Sequence, residues 1–207
     1  MSSNNKVVKA KVVLVGESGA GKTSILNYFV YGNFNESEIS TITPANIRKV
    51  ITVDGGKVEL DLWDTAGQEK FRALNQHFYH DANIGILVYS IVDRKTFDNL
   101  KSFWHQELLE QGDNNIIMGI AANKNDLFTE AEVEDEEGND FANVINAEYE
   151  ATSCKMGTGV VELFTKLAQK FFDYAKDLPE YKKNISLKKE DKNDPTEQRY
   201  SKKKKCC

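Results

Sequence analysis

Cysteine is scarce: three residues in 207, at Cys154, Cys206 and Cys207. That excludes a disulfide framework and suits a reducing compartment. No run of about 18 apolar residues exists, so no helix is expected to span a bilayer. The stretch from Met1 to Lys11 is polar and broken by lysines, which predicts no signal peptide. A basic body is also missing. Net charge is −5, and residues 1–176 hold 17 basic against 26 acidic side chains, which argues against a general nucleic-acid binder. The basic excess sits instead in residues 177–207, with ten basic and six acidic side chains, and points to an anionic surface as partner. Hydrophobic residues at 40% suffice for one core. The organisation expected is one domain over 1–176 and a flexible basic tail over 177–207.

What is present is a series of short apolar runs: 12–15, 84–89 and 116–122. Rich in β-branched residues and tolerant of glycine, they read as parallel strands buried on both faces. A further short strand is expected from Ala147 to Thr152. Between the runs lie helical stripes, one of Phe97, Leu100, Trp104 and Leu108, another of Val160, Leu163, Phe164, Leu167 and Phe171, both read as core. Residues 45–53 and 57–63 read as strands joined by Asp54-Gly55-Gly56, a hairpin signal. The fold class expected is therefore α/β: a doubly wound fold, its six-stranded sheet mostly parallel with one antiparallel edge strand, a P-loop nucleotide-binding fold once the loop motif Gly16 to Thr23 is taken with it. Leu178-Pro179 breaks the last helix, and the acidic stretch from Glu130 to Asp140 reads as a solvated helix face and loop.

The strongest motif is Gly16-Glu17-Ser18-Gly19-Ala20-Gly21-Lys22-Thr23. It matches G-x-x-x-x-G-K-[ST], follows a buried strand and precedes a helical stretch beginning at Ser24. Such a loop closes backbone N–H groups around phosphates, Lys22 reaching the terminal ones and the Thr23 hydroxyl suited to Mg²⁺. A second motif, Trp63-Asp64-Thr65-Ala66-Gly67-Gln68-Glu69, ends an edge strand. Asp64 is placed to orient Mg²⁺ through water, Gly67 to bring a backbone N–H against a γ-phosphate, and Gln68 to orient an attacking water. The third, Asn123-Lys124-Asn125-Asp126, supplies a carboxylate able to accept from guanine N1–H and its 2-amino group, a donor pair adenine lacks. The fourth, Thr152-Ser153-Cys154-Lys155, lies between a strand and the last helix, where its backbone and Lys155 could buttress the base.

These four motifs in this order resemble a Ras-like small GTPase. Trp63 to Leu74, then Phe78-Tyr79 and the paired Cys206-Cys207, resemble the Rab family of vesicle-traffic GTPases, closest to its early-endosomal branch. The resemblance implies Thr23 and Thr41 as Mg²⁺ ligands and Phe34 stacked on the guanine. It implies a base pocket of Asn123, Lys124, Asp126, Ser153 and Cys154, the last two largely through backbone. It also implies exchange factors, activating proteins and effectors as partners, a monomer, and residence on the cytoplasmic face of endomembranes with cycling to the cytosol. Three departures stand out: Thr43-Pro44-Ala45-Asn46 where such proteins show glycine, two small residues and phenylalanine; Glu38 in place of an aromatic; and His80-Asp81-Ala82 for Arg-Gly-Ala.

Lys202 to Lys205 precede Cys206-Cys207. Position 204 is lysine, so the common prenyl box with cysteine four from the end does not fit, and the resemblance implies instead a geranylgeranyl group on both cysteines. Two chains anchor where one binds only reversibly. Two rival functions are weighed: a constitutively loaded, non-enzymatic scaffold, which intact Gln68 opposes, and an ATP-using kinase or ATPase, which Asp126 opposes.

Overall fold

The computed structural model describes residues 7–35, 45–64, 79–113 and 115–178. Six strands form one sheet: β1 (Val7–Val15), β2 (Ala45–Val53), β3 (Gly56–Asp64), β4 (Ile84–Ser90), β5 (Ile117–Asn123) and β6 (Glu148–Thr152). Their order is β2-β3-β1-β4-β5-β6. Only β2 runs antiparallel, against β3, with Val53 facing Gly56 across the tight turn; all other pairs are parallel. The doubly wound sheet with one antiparallel edge strand thus stands as read from the sequence.

The buried apolar runs became strands because they are covered on both faces, and β4 is buried along its whole length. β1 starts five residues before its apolar run. There Val7 and Lys9 are exposed while Val8 and Ala10 are buried, a period-two pattern that continues the strand toward the sheet's rim.

α1 (Lys22–Tyr31) and α5 (Val160–Ala175) pack together through Phe29 and Phe164, whose rings stack at 3.8 Å between centroids and 7° between planes. Val160, Leu163, Phe164, Leu167 and Phe171 are all buried, so the α5 stripe holds. The helix ends at Ala175, just ahead of the expected Leu178-Pro179 break. The compact unit that carries the candidate site is Met1–Phe172.

The other stripe, Phe97, Leu100, Trp104 and Leu108, is also buried, but its helix is not regular. α2 (Arg94–Asn99) runs into a π-helical turn (Leu100–Trp104) and then α3 (His105–Gln111), the His105 N–H donating to the Leu100 carbonyl. A π-turn holds one more residue than an α-turn and is common at functional sites. The acidic stretch ends a 3₁₀ turn (Asn125–Glu130) and opens α4 (Asp135–Val144). Glu134 and Glu137 form a capping box there, and Arg94 pairs with Glu137 at 2.7 Å. At Asp81 the backbone is left-handed (φ 58°), at the position where the resemblance places glycine.

The carboxyl ends of the parallel strands share one edge. Asp64 pairs with Leu14, and Ser90, Asn123 and Thr152 lie level across β4, β5 and β6. β1 lies where the strand order reverses, and the crevice beyond its end is where such sheets bind ligands.

Candidate functional site

The loop after β1 is fixed at both ends by close contact. Gly16 lies so near β4 that a Cβ would sit 2.2 Å from the Val88 carbonyl oxygen. Gly21 has φ 99° and lies so near β5 that a Cβ would sit 2.1 Å from Asn123 Nδ2. Between them Ser18 and Gly19 form the exposed tip, and the Ala20 N–H donates to the Glu17 carbonyl at 3.3 Å.

α1 begins directly at Lys22 with no side-chain cap. Its first turn, Lys22 to Ser24, follows the loop directly, the place in a helix that suits an anion. Lys22 folds back over the loop, its Nζ donating to the carbonyls of Gly16 and Glu17 at 2.9 Å each. It is only 5% exposed. Burial pushes its ammonium down to about 8, opposed by the Asp64 and Glu17 carboxylates, and a phosphate placed beside it would raise it again by favouring the charged form.

At the other side of the loop the Thr23 hydroxyl donates to Asp64 Oδ2 at 2.8 Å. Asp64 is buried at the end of β3. A hydroxyl and a buried carboxylate within hydrogen-bond reach are the hard oxygen donors that Mg²⁺ takes from protein. It keeps its other positions for water and phosphate, so the residues present fit that ion.

The base side is organised by Asn123, buried at the end of β5. Its Nδ2 donates to the Ala20 carbonyl at 2.9 Å. Its Oδ1 accepts from Thr152 Oγ1 at 3.2 Å, with Cys154 Sγ at 3.8 Å. One side chain thus ties the phosphate loop to the motifs after β5 and β6. Lys124 follows in the left-handed region (φ 66°), turning the chain so that Asp126 in the 3₁₀ turn meets the loop after β6. Ser153 Oγ donates to Asp126 Oδ1 at 2.6 Å and accepts from the Met156 N–H at 3.1 Å. Lys155 is exposed, and Phe34, just beyond α1, is 39% exposed. Tyr28 of α1 donates its hydroxyl to the Gly157 carbonyl at 3.5 Å, joining the same loop to the first helix.

The structure therefore gathers Ser18 to Ser24, Asp64, Asn123, Lys124, Asp126, Ser153, Cys154 and Lys155 at one edge of the sheet. Thr41, Gly67 and Gln68 lie outside the described residues, as do Glu38, Thr43, Pro44, the lysines 202–205, Cys206 and Cys207. Ser153 and Cys154, expected to act largely through backbone, also bring their side chains into the network around Asp126 and Asn123. Sequence reasoning missed Thr152 as the second partner of Asn123, because a threonine ending a strand carries no signal of what lies beside it. It also missed Asn99 and Trp104, which donate to Glu17 Oε1 from across the fold at 3.0 and 3.1 Å. The one available hint was a carboxylate inside a phosphate loop, which needs donors to hold it.

Comparison with known proteins agrees with this geometry. The family model described as the Ras family matches residues 11–173. Ras-related protein Rab-21 of Homo sapiens is 38% identical over 165 residues, covering 80% of this chain and 73% of that protein. Ras-related protein RABF2a of Arabidopsis thaliana is 37% identical over 169 residues, covering 82% and 84%. By these matches the chain belongs to the Ras family, among its Rab-type GTP-hydrolysing small GTPases.

Proposed function

We propose that this chain is a GTP-hydrolysing switch in vesicle traffic, with each motif residue in the role its place suggests. The observation that carries the reading is the 2.9 Å bond from Asn123 Nδ2 to the Ala20 carbonyl, which sets a phosphate loop and a guanine-selective carboxylate at a fixed spacing. In this reading the loop N–H groups and Lys22 hold the phosphates, Asp126 reads the base, and Phe34, Lys124 and Lys155 flank it. Mg²⁺ neutralises the β- and γ-phosphate charge when bound; Thr23, Thr41 and, through water, Asp64 would hold it. Gln68 orients the attacking water, and contacts of Thr41 and Gly67 to the γ-phosphate are lost with hydrolysis, releasing both segments. With no arginine in the loop motif itself, turnover is expected to be slow, on the order of 10⁻⁴ per second, and to be raised by an activating protein.

The test is single-turnover hydrolysis of preloaded GTP. Gln68→Leu should slow it by about tenfold or more. An unchanged rate removes Gln68 from the water-orienting role.

Domain 1–176 is read as the switch, with an exchange factor, an activating protein and effectors acting on it as a monomer. Asn46 stands where the family places an aromatic, and it is held by Asp61 Oδ1 at 2.9 Å beside Arg48 at 3.3 Å. Partner choice at that polar corner is expected to differ from aromatic-bearing relatives. The 177–207 tail is read as an anchor to the cytoplasmic face of endomembranes, of early-endosomal type, through geranylgeranyl groups on Cys206 and Cys207. The lysines 202–205 would add roughly 1 kcal/mol each at an anionic surface. No helix among the described residues is long and apolar enough to cross a membrane. Replacing both terminal cysteines by serine should move the protein from the membrane pellet to the soluble fraction of cells, and retained pelleting would refute the anchor.

A further inference from the structure

Glu17 is an odd residue to find in a loop that takes phosphates, because a loose carboxylate there repels them. It is not loose. Its Oε1 accepts from Asn99 Nδ2 at 3.0 Å and from Trp104 Nε1 at 3.1 Å. Trp104 is 1% exposed, so its indole is set by packing before it meets Glu17. The main chain of the same residue shapes the loop, its carbonyl accepting from Lys22 Nζ at 2.9 Å and from the Ala20 N–H at 3.3 Å. Gly16 pins the entry of the loop and Gly21 its exit; at Glu17, just past the entry, a distant helix takes hold of it.

The two donors are five residues apart. On a regular α-helix that spacing places them about 140° apart around the axis, so they could not reach one oxygen from the same side. The π-turn from Leu100 to Trp104 closes i→i+5 hydrogen bonds and stacks residues five apart. The irregularity in the helix is what gives Glu17 two donors.

We propose that Asn99 and Trp104, aligned by the π-turn, are positioning residues for the phosphate loop. They turn the Glu17 carboxylate away from the phosphates, fix its carbonyl under Lys22, and so slow nucleotide release. This rests on the nucleotide reading of the loop.

The test is release of radiolabelled GDP from the full chain, chased with excess unlabelled GDP in Mg²⁺. Trp104→Phe keeps the apolar ring and removes the N–H, and should speed release about tenfold, the scale of one lost hydrogen bond to a charged group. Asn99→Ala should act in the same direction. In a Glu17→Ala background, Trp104→Phe should change release by less than about twofold, since the carboxylate it holds is gone. Equal acceleration in both backgrounds would mean packing alone, and would overturn the proposal; so would unchanged release in Trp104→Phe. Deleting Ser102, exposed within the π-turn, leaves Asn99 and Trp104 four apart, in line on an ordinary α-helix. That deletion should keep wild-type release, and inserting an alanine after Ser102 should mimic Trp104→Phe. The reverse outcome removes the π-turn from the argument. A wild-type chain that does not retain GDP at all would instead sink the nucleotide reading.

Discussion

Asp126→Asn should turn a guanine site into a xanthine site. The carboxylate only accepts hydrogen bonds, and guanine offers it two donors side by side, N1–H and the 2-amino group. The Ser153 hydroxyl holds Asp126 Oδ1 at 2.6 Å, and Ser153 is itself fixed by the Met156 N–H. The orientation is therefore set before any base arrives. An asparagine amide in the same place presents one donor and one acceptor. Guanine's 2-amino group would then face an N–H₂, whereas xanthine's 2-carbonyl would accept from it while its N1–H still donates. Ser153 can donate to the asparagine oxygen as it did to the carboxylate, so the variant should fold. A site built to pair a polar edge rejects the analogue lacking it by about 10⁴-fold or more, and the expected swing in the GTP-to-XTP affinity ratio is of that order. Competition between the two nucleotides on the purified variant gives the answer. If GTP is still preferred, Asp126 does not read the base.

That residue was legible in the sequence because its motif is local. Asn123, Lys124 and Asp126 follow a buried strand directly, and a strand end with a short turn leaves few places for their side chains to go. The same holds for Lys22 and Thr23, which open a helix straight after a glycine-rich loop. The strands were legible for a simpler reason: coverage on both faces makes them continuous apolar runs. The first half of β1 escaped notice because Lys9 and Lys11 interrupt the run while the backbone goes on pairing with β3. The π-turn was hidden more thoroughly. Phe97, Leu100, Trp104 and Leu108 are spaced by three and four residues, a stripe that either kind of helix buries, so periodicity does not distinguish their hydrogen-bond registers. The grip of Trp104 on Glu17 joins residues 87 positions apart. Nothing in the composition of either segment names the other.

Asn123 is where these local pieces become one site, and Gly21→Ala should take it apart. Gly21 carries two separate demands. Its backbone is left-handed, at φ 99° and ψ 26°, which disfavours a side chain by about 1–2 kcal/mol. Its missing Cβ also leaves room for Asn123, whose Nδ2 would lie 2.1 Å from the added carbon. The methyl must therefore expel the amide that donates to the Ala20 carbonyl and orients Oδ1 toward Thr152. Both bonds are buried, and unpaired buried groups carry a penalty of about 1–3 kcal/mol each. Together with the backbone strain this predicts a loss of about 3–5 kcal/mol in the stability of the nucleotide-free protein. Nucleotide affinity should fall by about 10²-fold or more, because phosphate loop and base loops no longer share a spacer. Gly19→Ala separates the two demands: Gly19 is also left-handed, at φ 79°, but a Cβ there meets nothing within 4 Å. Its nucleotide-free stability should fall by only the backbone share, about 1 kcal/mol. Denaturant unfolding of the two nucleotide-free variants decides between strain and collision. Equal losses would mean that backbone conformation alone makes glycine necessary in this loop, and that the Asn123 knot tolerates the methyl.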